Sequence, residues 1–236
     1  MKTPVLLYHS INNDNSNLSL TINEFEKHII YLKKKNFKTI NFNQVNKSDD
    51  KNIIITFDDG YKDLITNVLP ILKRYGFTAT CFIVSDLLGG KNTWDINKNN
   101  YLEKELMNKN DILEWVSNGM FIGSHSHNHP NLTLLNNNEI TNQLDKSKKV
   151  LENITGSEVI SFSYPYGKVN KSVYDITKKI FDIAVTTNRG RYDPNNHDLH
   201  LIPRIDMGKK LSIFKIFLKL HTNYEDYKFK KNELYM

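Results

Sequence analysis

The sequence predicts an α/β protein, a distorted (β/α)7-8 barrel in a single domain, and three observations predict it. Short apolar runs rich in β-branched residues alternate about seven times with longer helical patterns over 236 residues, which is the rhythm of parallel β/α units. Four polar clusters, "YHS", "FDDG", "GSHSHNH" and "SYPYG", each follow a different apolar run, as they would at the mouth formed by the C-terminal ends of barrel strands. No repeat and no linker divides the chain, and its length suits one barrel-sized domain. An open doubly wound sheet is the alternative arrangement of the same units.

In chain order, "PVLLYH" is the first strand, and a helix is expected from Thr21 to Asn36. "KTINF" is a weaker strand, and "NIIITF" a clear one. Leu64, Val68, Ile71, Leu72 and Tyr75 recur at helical spacing, so a helix is expected from Tyr61 to Tyr75 with Gly76 as its stop. "TATCFIV" is the next strand; the irregular stretch from Gly89 to Lys109, rich in Asn and Lys and carrying Trp94, is the one long insertion. Long loops of this kind often form lids or rims of sites. Helices at Asp111–Asn118, Asn138–Asn153 and Lys171–Ile180 then separate the strands "MFIGSH", "VISFSYP" and "FDIAVTT". "HLIPRID" is the last strand, followed by a helix over Leu211–Leu220. The strand pattern therefore spans a core of about residues 5–206, with a C-terminal helix and tail over 207–236.

Hydrophobic residues make up 39% of the chain and aromatics 11%, enough for a real core, and the net charge is +6. The lysines are scattered or sit on helical faces, as in "YLKKKNFK", with no aromatic-interleaved basic stripe, so a solvated surface is read rather than a nucleic-acid binder. Cys81 is the only cysteine, which leaves no disulfide framework and no cysteine cluster for a structural metal. "MKTPVLLYHS" lacks a small-residue cleavage site and reads as a strand rather than a signal peptide. No stretch has the length of a transmembrane helix, so the chain as given is expected to be cytoplasmic. "LSIFKIFLKL" has a basic amphipathic look that leaves peripheral membrane contact open, although a terminal barrel helix explains it better.

Asp58 and Asp59 end an apolar strand side by side, either as a solvent-facing turn or as a pair kept together by a cation. Opposite them "GSHSHNHP" supplies His125, His127 and His129. Pro130 biases His129 away from helix, and the glutamate of a zinc-protease motif is absent, so a strand running into a loop fits better. Imidazole and carboxylate together suit zinc or another divalent ion, and three protein ligands leave a position for water. Bound water falls from a pKa of about 15.7 to about 7, and an aspartate kept off the metal could take its proton.

"TFDDG", "HSHNH" and "FSYPYG", in that order, resemble the polysaccharide deacetylases of carbohydrate esterase family 4, from about Val5 to Asp206. The resemblance implies Asp58 as general base, with Asp59, His125 and His129 as metal ligands and His127 outside the ligand set. It implies that the Tyr166 backbone N–H stabilises the oxyanion; Tyr164, Pro165 and Trp94 are the candidate substrate contacts. Many members carry an arginine where Ser163 stands, and Arg204 in "LIPRID" is the candidate to replace it. The family's C-terminal Leu-x-His acid is absent. His9 instead resembles the N-terminal acid of the permuted poly-N-acetylglucosamine deacetylases. The implied activity is metal-dependent removal of N-acetyl from an amino sugar, in an oligosaccharide, glycan or glycan intermediate. An O-acetyl esterase and an inactive carbohydrate-binding member are the alternatives. His28, His197, His200 and His221 are read as surface or supporting residues.

Overall fold

The computed structural model describes residues 2–47, 49–96, 102–208 and 210–228. Residues 97–101 of the expected insertion and 229–236 of the expected tail lie outside the described residues. Seven parallel strands form the frame: β1 (Val5–Tyr8), β2 (Asn52–Phe57), β3 (Thr80–Ile83), β4 (Phe121–Ser124), β5 (Ser161–Ser163), β6 (Ile183–Arg189) and β7 (Ile202–Asp206). They pair in chain order, and β1 closes the ring by pairing with both β7 and β2, Leu6 facing Ile205 on one side and Ile55 on the other. The ring is a closed barrel, not an open sheet. The weak strand "KTINF" shortens to Lys38–Thr39, which pairs with the start of β2.

Around the barrel lie α1 (Ile22–Lys34), α2 (Leu69–Tyr75), α3 (Lys109–Ser117), α4 (Asn137–Thr155), α5 (Lys171–Ile180) and α6 (Ile213–His221). Part of the asparagine enrichment is structural. Asn108, Asn136 and Asn170 cap α3, α4 and α5 by accepting from backbone N–H groups of the first turn, two of them in reciprocal capping boxes with Asp111 and Glu139. The helix expected from Tyr61 begins instead as a π-turn over Leu64–Val68 before α2. Pro70, in the first turn of α2, has no N–H to offer the carbonyl of Thr66, which loosens the helix there. Among the described residues no helix is long and apolar enough to cross a membrane.

The strand period of two sorts side chains between two cores. Val5, Ile54, Phe82, Val185 and Ile202 belong to one buried cluster inside the barrel, while Leu6, Ile53, Ile55, Cys81 and Ile83 join the larger layer beneath the helices. The inward series on β2 continues from Ile54 to Thr56 and Asp58, and on β7 from Ile202 to Arg204. A glycine is required at position 123, because a Cβ there would lie 2.5 Å from the Phe82 ring that fills the barrel. The next residue of that inward series is His125. Parallel strands thus carry the polar clusters to one end by the same alternation that builds the core.

Candidate active site

Asp58 follows β2 directly and is buried, its backbone N–H donating to the Tyr8 carbonyl at 3.0 Å. Arg204, also buried, holds its carboxylate with two parallel bonds of 2.7 Å, and the Ser163 hydroxyl donates to the same carboxylate at 3.1 Å. The guanidinium is itself fixed, donating to the Thr186 carbonyl at 2.8 Å, to the Thr56 hydroxyl at 3.2 Å and to Ser163 Oγ at 3.1 Å. Burial alone would raise the Asp58 pKa. The Arg204 guanidinium outweighs it and holds the carboxyl below the usual range.

Asp59 turns the other way because its backbone is left-handed, with φ of +75°, followed by Gly60 at +76°. Its Oδ1 lies 3.4 Å from His125 Nε2 and 3.5 Å from His129 Nε2. His125 donates its Nδ1–H to the Ser163 carbonyl at 2.7 Å, which leaves the Nε2 lone pair facing Asp59. The serine of "HSHNH" shapes the loop: Ser126 Oγ accepts the His129 N–H at 3.1 Å, and both residues have positive φ. Such non-glycine conformations cost about 1–2 kcal/mol each and persist only where the surroundings enforce them. Here they bring two rings four residues apart onto one carboxylate.

These three side chains are a fit for a metal ion by the chemistry of the donors. One atom from each of Asp59, His125 and His129 lies within 4.8 Å of the others, and all three residues are buried. The two Nε2 atoms are 3.2 Å apart, and the buried Nδ1 of His129 has no hydrogen-bond partner among the described residues. Without a cation, either two lone pairs face each other or a ring proton sits between them. Burial and then the neighbouring His125 push His129 down to about pKa 3, so it stays neutral and able to donate a lone pair. Burial disfavours charge on His125 as well, but contact with Asp59 and the charge of Asp58 raise it. His127 faces away, to Ser85 Oγ at 3.0 Å and Asp86 at 3.4 Å.

The remaining expected residues divide. Trp94, half-buried, stacks on the His129 ring with centroids 4.6 Å apart, and Tyr166 meets that ring edge-on at 4.7 Å. His9 sits one residue beyond β1, half-buried, in a cleft with Thr187, Arg189 and Asp206, and a charge on it would act on both Asp58 and Asp59. Two expectations are corrected. Tyr164 is fully buried against Phe162, its hydroxyl donating to the His200 carbonyl at 3.1 Å, so its side chain packs the core and is not a substrate contact. Pro165 is buried too and serves the turn that follows β5. Of the histidines read as surface or supporting residues, His28 is buried on the Tyr8 hydroxyl at 3.1 Å, and His200 on the Phe181 carbonyl at 2.9 Å.

Three contributors were not legible in the sequence. Thr56 and Thr186 read as ordinary strand residues, and Asp95 as one polar residue in an irregular loop. Asp95 accepts from the Tyr166 hydroxyl at 3.3 Å. Only its place beside Trp94 in the one long insertion marked it.

The polysaccharide deacetylase family model matches residues 45–180. The chain is 30% identical to YxkH of Bacillus subtilis (strain 168) over 228 residues, 92% of this chain and 76% of that protein. It is 25% identical to the poly-beta-1,6-N-acetyl-D-glucosamine N-deacetylase of Staphylococcus aureus (strain MRSA252) over 216 residues, 85% of this chain and 71% of the relative. Among solved structures, a polysaccharide deacetylase from Bacillus cereus superposes with a TM-score of 0.79 at 26% identity, covering 93% of this chain and 69% of that one.

Proposed function

The chain belongs to the polysaccharide deacetylase family, and from that premise we propose that it is a metal-dependent N-deacetylase acting on an N-acetylated amino sugar within an oligosaccharide, glycan or glycan intermediate. The observation that carries the reading is the buried Asp59, His125 and His129 group set beside an Asp58 that is clamped by Arg204. A relative named for deacetylating poly-N-acetylglucosamine supports the sugar.

Asp59, His125 and His129 would hold a divalent ion, zinc by the match of imidazole and carboxylate donors. When bound, the ion supplies a Lewis acid and an acidified water at neutral pH. Asp58, ionised and kept off that group by Arg204 and Ser163, accepts the proton of the attacking water. The Tyr166 backbone N–H donates to the carbonyl oxygen as negative charge develops on it. His9, at the same mouth, donates a proton to the departing amine. Trp94, stacked on His129, presents an aromatic surface to the sugar ring.

The test is product analysis: the zinc-loaded protein, given an N-acetylglucosamine oligomer, releases acetate and free amine in equal amounts. Acetate release from an O-acetylated sugar alone would replace this reading with the esterase one, and release from neither would remove both. His9→Ala should keep metal and fold while amide turnover falls about a hundredfold, the low end for general acid help. An activated aryl acetate needs no proton on its leaving group and should lose much less. Equal loss on both substrates would make His9 a positioning residue.

A further inference from the structure

Tyr166 occupies a backbone conformation that its residue type disfavours. Its φ and ψ are 59° and 8°, and it follows a proline, whose φ is held near −65°. The Gly167 N–H donates to the Tyr164 carbonyl at 2.8 Å, so Tyr164–Gly167 is a type II turn, which places a left-handed residue at its third position. Glycine or asparagine is the usual occupant there, and a tyrosine costs about 1–2 kcal/mol. The alternative for the same four residues is a type I turn, with φ near −90° at the third position. The two turns differ by rotation of the peptide between Pro165 and Tyr166, so they send the Tyr166 N–H to opposite sides.

The tyrosine ring is held at both ends. Its hydroxyl donates to Asp95 Oδ1 at 3.3 Å, and its edge meets His129 at 4.7 Å. Asp95 is 6% exposed and comes from the long insertion. That insertion is fastened to the barrel near the carboxylate pair: the Met107 N–H donates to the Gly60 carbonyl at 2.8 Å and the Lys62 N–H to the Glu105 carbonyl at 3.0 Å. Lys104, from the same segment, reaches Asp14 at 2.8 Å and Ser19 Oγ at 2.6 Å.

We propose that Asp95 is a positioning residue that, by holding the Tyr166 phenol, locks the Pro165–Tyr166 peptide in the orientation that aims the Tyr166 N–H at the substrate oxyanion. It rests on the reading of Tyr166 as oxyanion donor given above. Asp95, in the loop after β3, then determines the direction of a backbone dipole in the loop after β5. A side-chain lock is needed at this position because the residue is a tyrosine, and a glycine would hold the turn unaided.

That difference supplies the test, in the zinc-loaded full chain with an N-acetylglucosamine oligomer. Asp95→Ala should lower kcat about tenfold to a hundredfold, up to the low end of what one oxyanion donor is worth, with KM and zinc content near wild type. Asp95→Asn keeps an oxygen acceptor for the phenol and should restore most of kcat. In a Tyr166→Gly background the same Asp95→Ala change should alter kcat less than about twofold, because glycine adopts the left-handed conformation freely. Wild-type kcat in Asp95→Ala, failure of Asp95→Asn to rescue, or equal losses in both backgrounds would each overturn the proposal. A crystal structure of Asp95→Ala reads the lock without turnover: a negative φ at Tyr166 supports it, and an unchanged positive φ overturns it. Absence of deacetylase turnover in the wild-type protein would count against the functional reading, and the crystallographic comparison would still decide the lock.

Discussion

His125→Ala, His129→Ala and Asp59→Ala should each lose the bound divalent ion and most turnover together, about a thousandfold or more. The magnitude follows from the several kcal/mol of transition-state stabilisation that such an ion supplies, at 1.36 kcal/mol per factor of ten in rate. Each residue offers one donor atom to a group of three within 4.8 Å, and among the described residues no fourth donor joins that group. His127 cannot substitute, since its ring is engaged with Ser85 and Asp86. The check is metal content after dialysis against buffer without chelator, measured beside turnover and circular dichroism. His127→Ala should retain the ion. Full occupancy in all three ligand variants would remove the assignment, and loss in His127→Ala would redraw it. Stripping the wild-type protein with a chelator should abolish turnover, and added zinc should restore it.

Much of this arrangement was legible because it depends on local patterns. The inward series Ile54, Thr56, Asp58 is a simple alternation, and a strand ending in two aspartates announces a site once histidines end another strand. The polar endings of four separate runs placed the mouth. What was not legible depends on contacts between distant residues. Arg204 and Asp58 are 146 positions apart, and nothing in "LIPRID" itself distinguishes an inward arginine from a surface one until β7 lies beside β6 and, across β1, two strands from β2 on the closed ring. Tyr164 and Tyr166 are two residues apart with opposite fates: one hydroxyl is buried in the core and the other reaches the insertion. The alternation of the strand stops at Pro165, so period could not carry the assignment past it. The π-turn before α2 was missed for a smaller reason, a single proline inside a strong helical pattern.

Asp58→Asn should keep the ion and lower turnover about 10²–10⁴-fold, the usual worth of a general base. The substitution conserves shape, so the Ser163 hydroxyl can still find an oxygen acceptor. It removes the charge that Arg204 faces, however, and Arg204 is buried in the barrel core, where its other acceptors Thr186, Thr56 and Ser163 are all neutral. Breaking one side of a buried pair typically costs about 3–5 kcal/mol, so the melting temperature should fall as well, and a loss of rate alone would be ambiguous. Arg204→Met in the same background resolves it by withdrawing the uncompensated cation. The double variant should regain much of the lost stability, because replacing a whole buried pair with apolar or neutral groups is far milder than halving it. Its turnover should stay as low as in Asp58→Asn, because no group is left to take the proton of water. Zinc content should be close to wild type in both, since neither residue belongs to the donor set. Turnover that returned together with stability would assign Asp58 a structural role and move the base elsewhere.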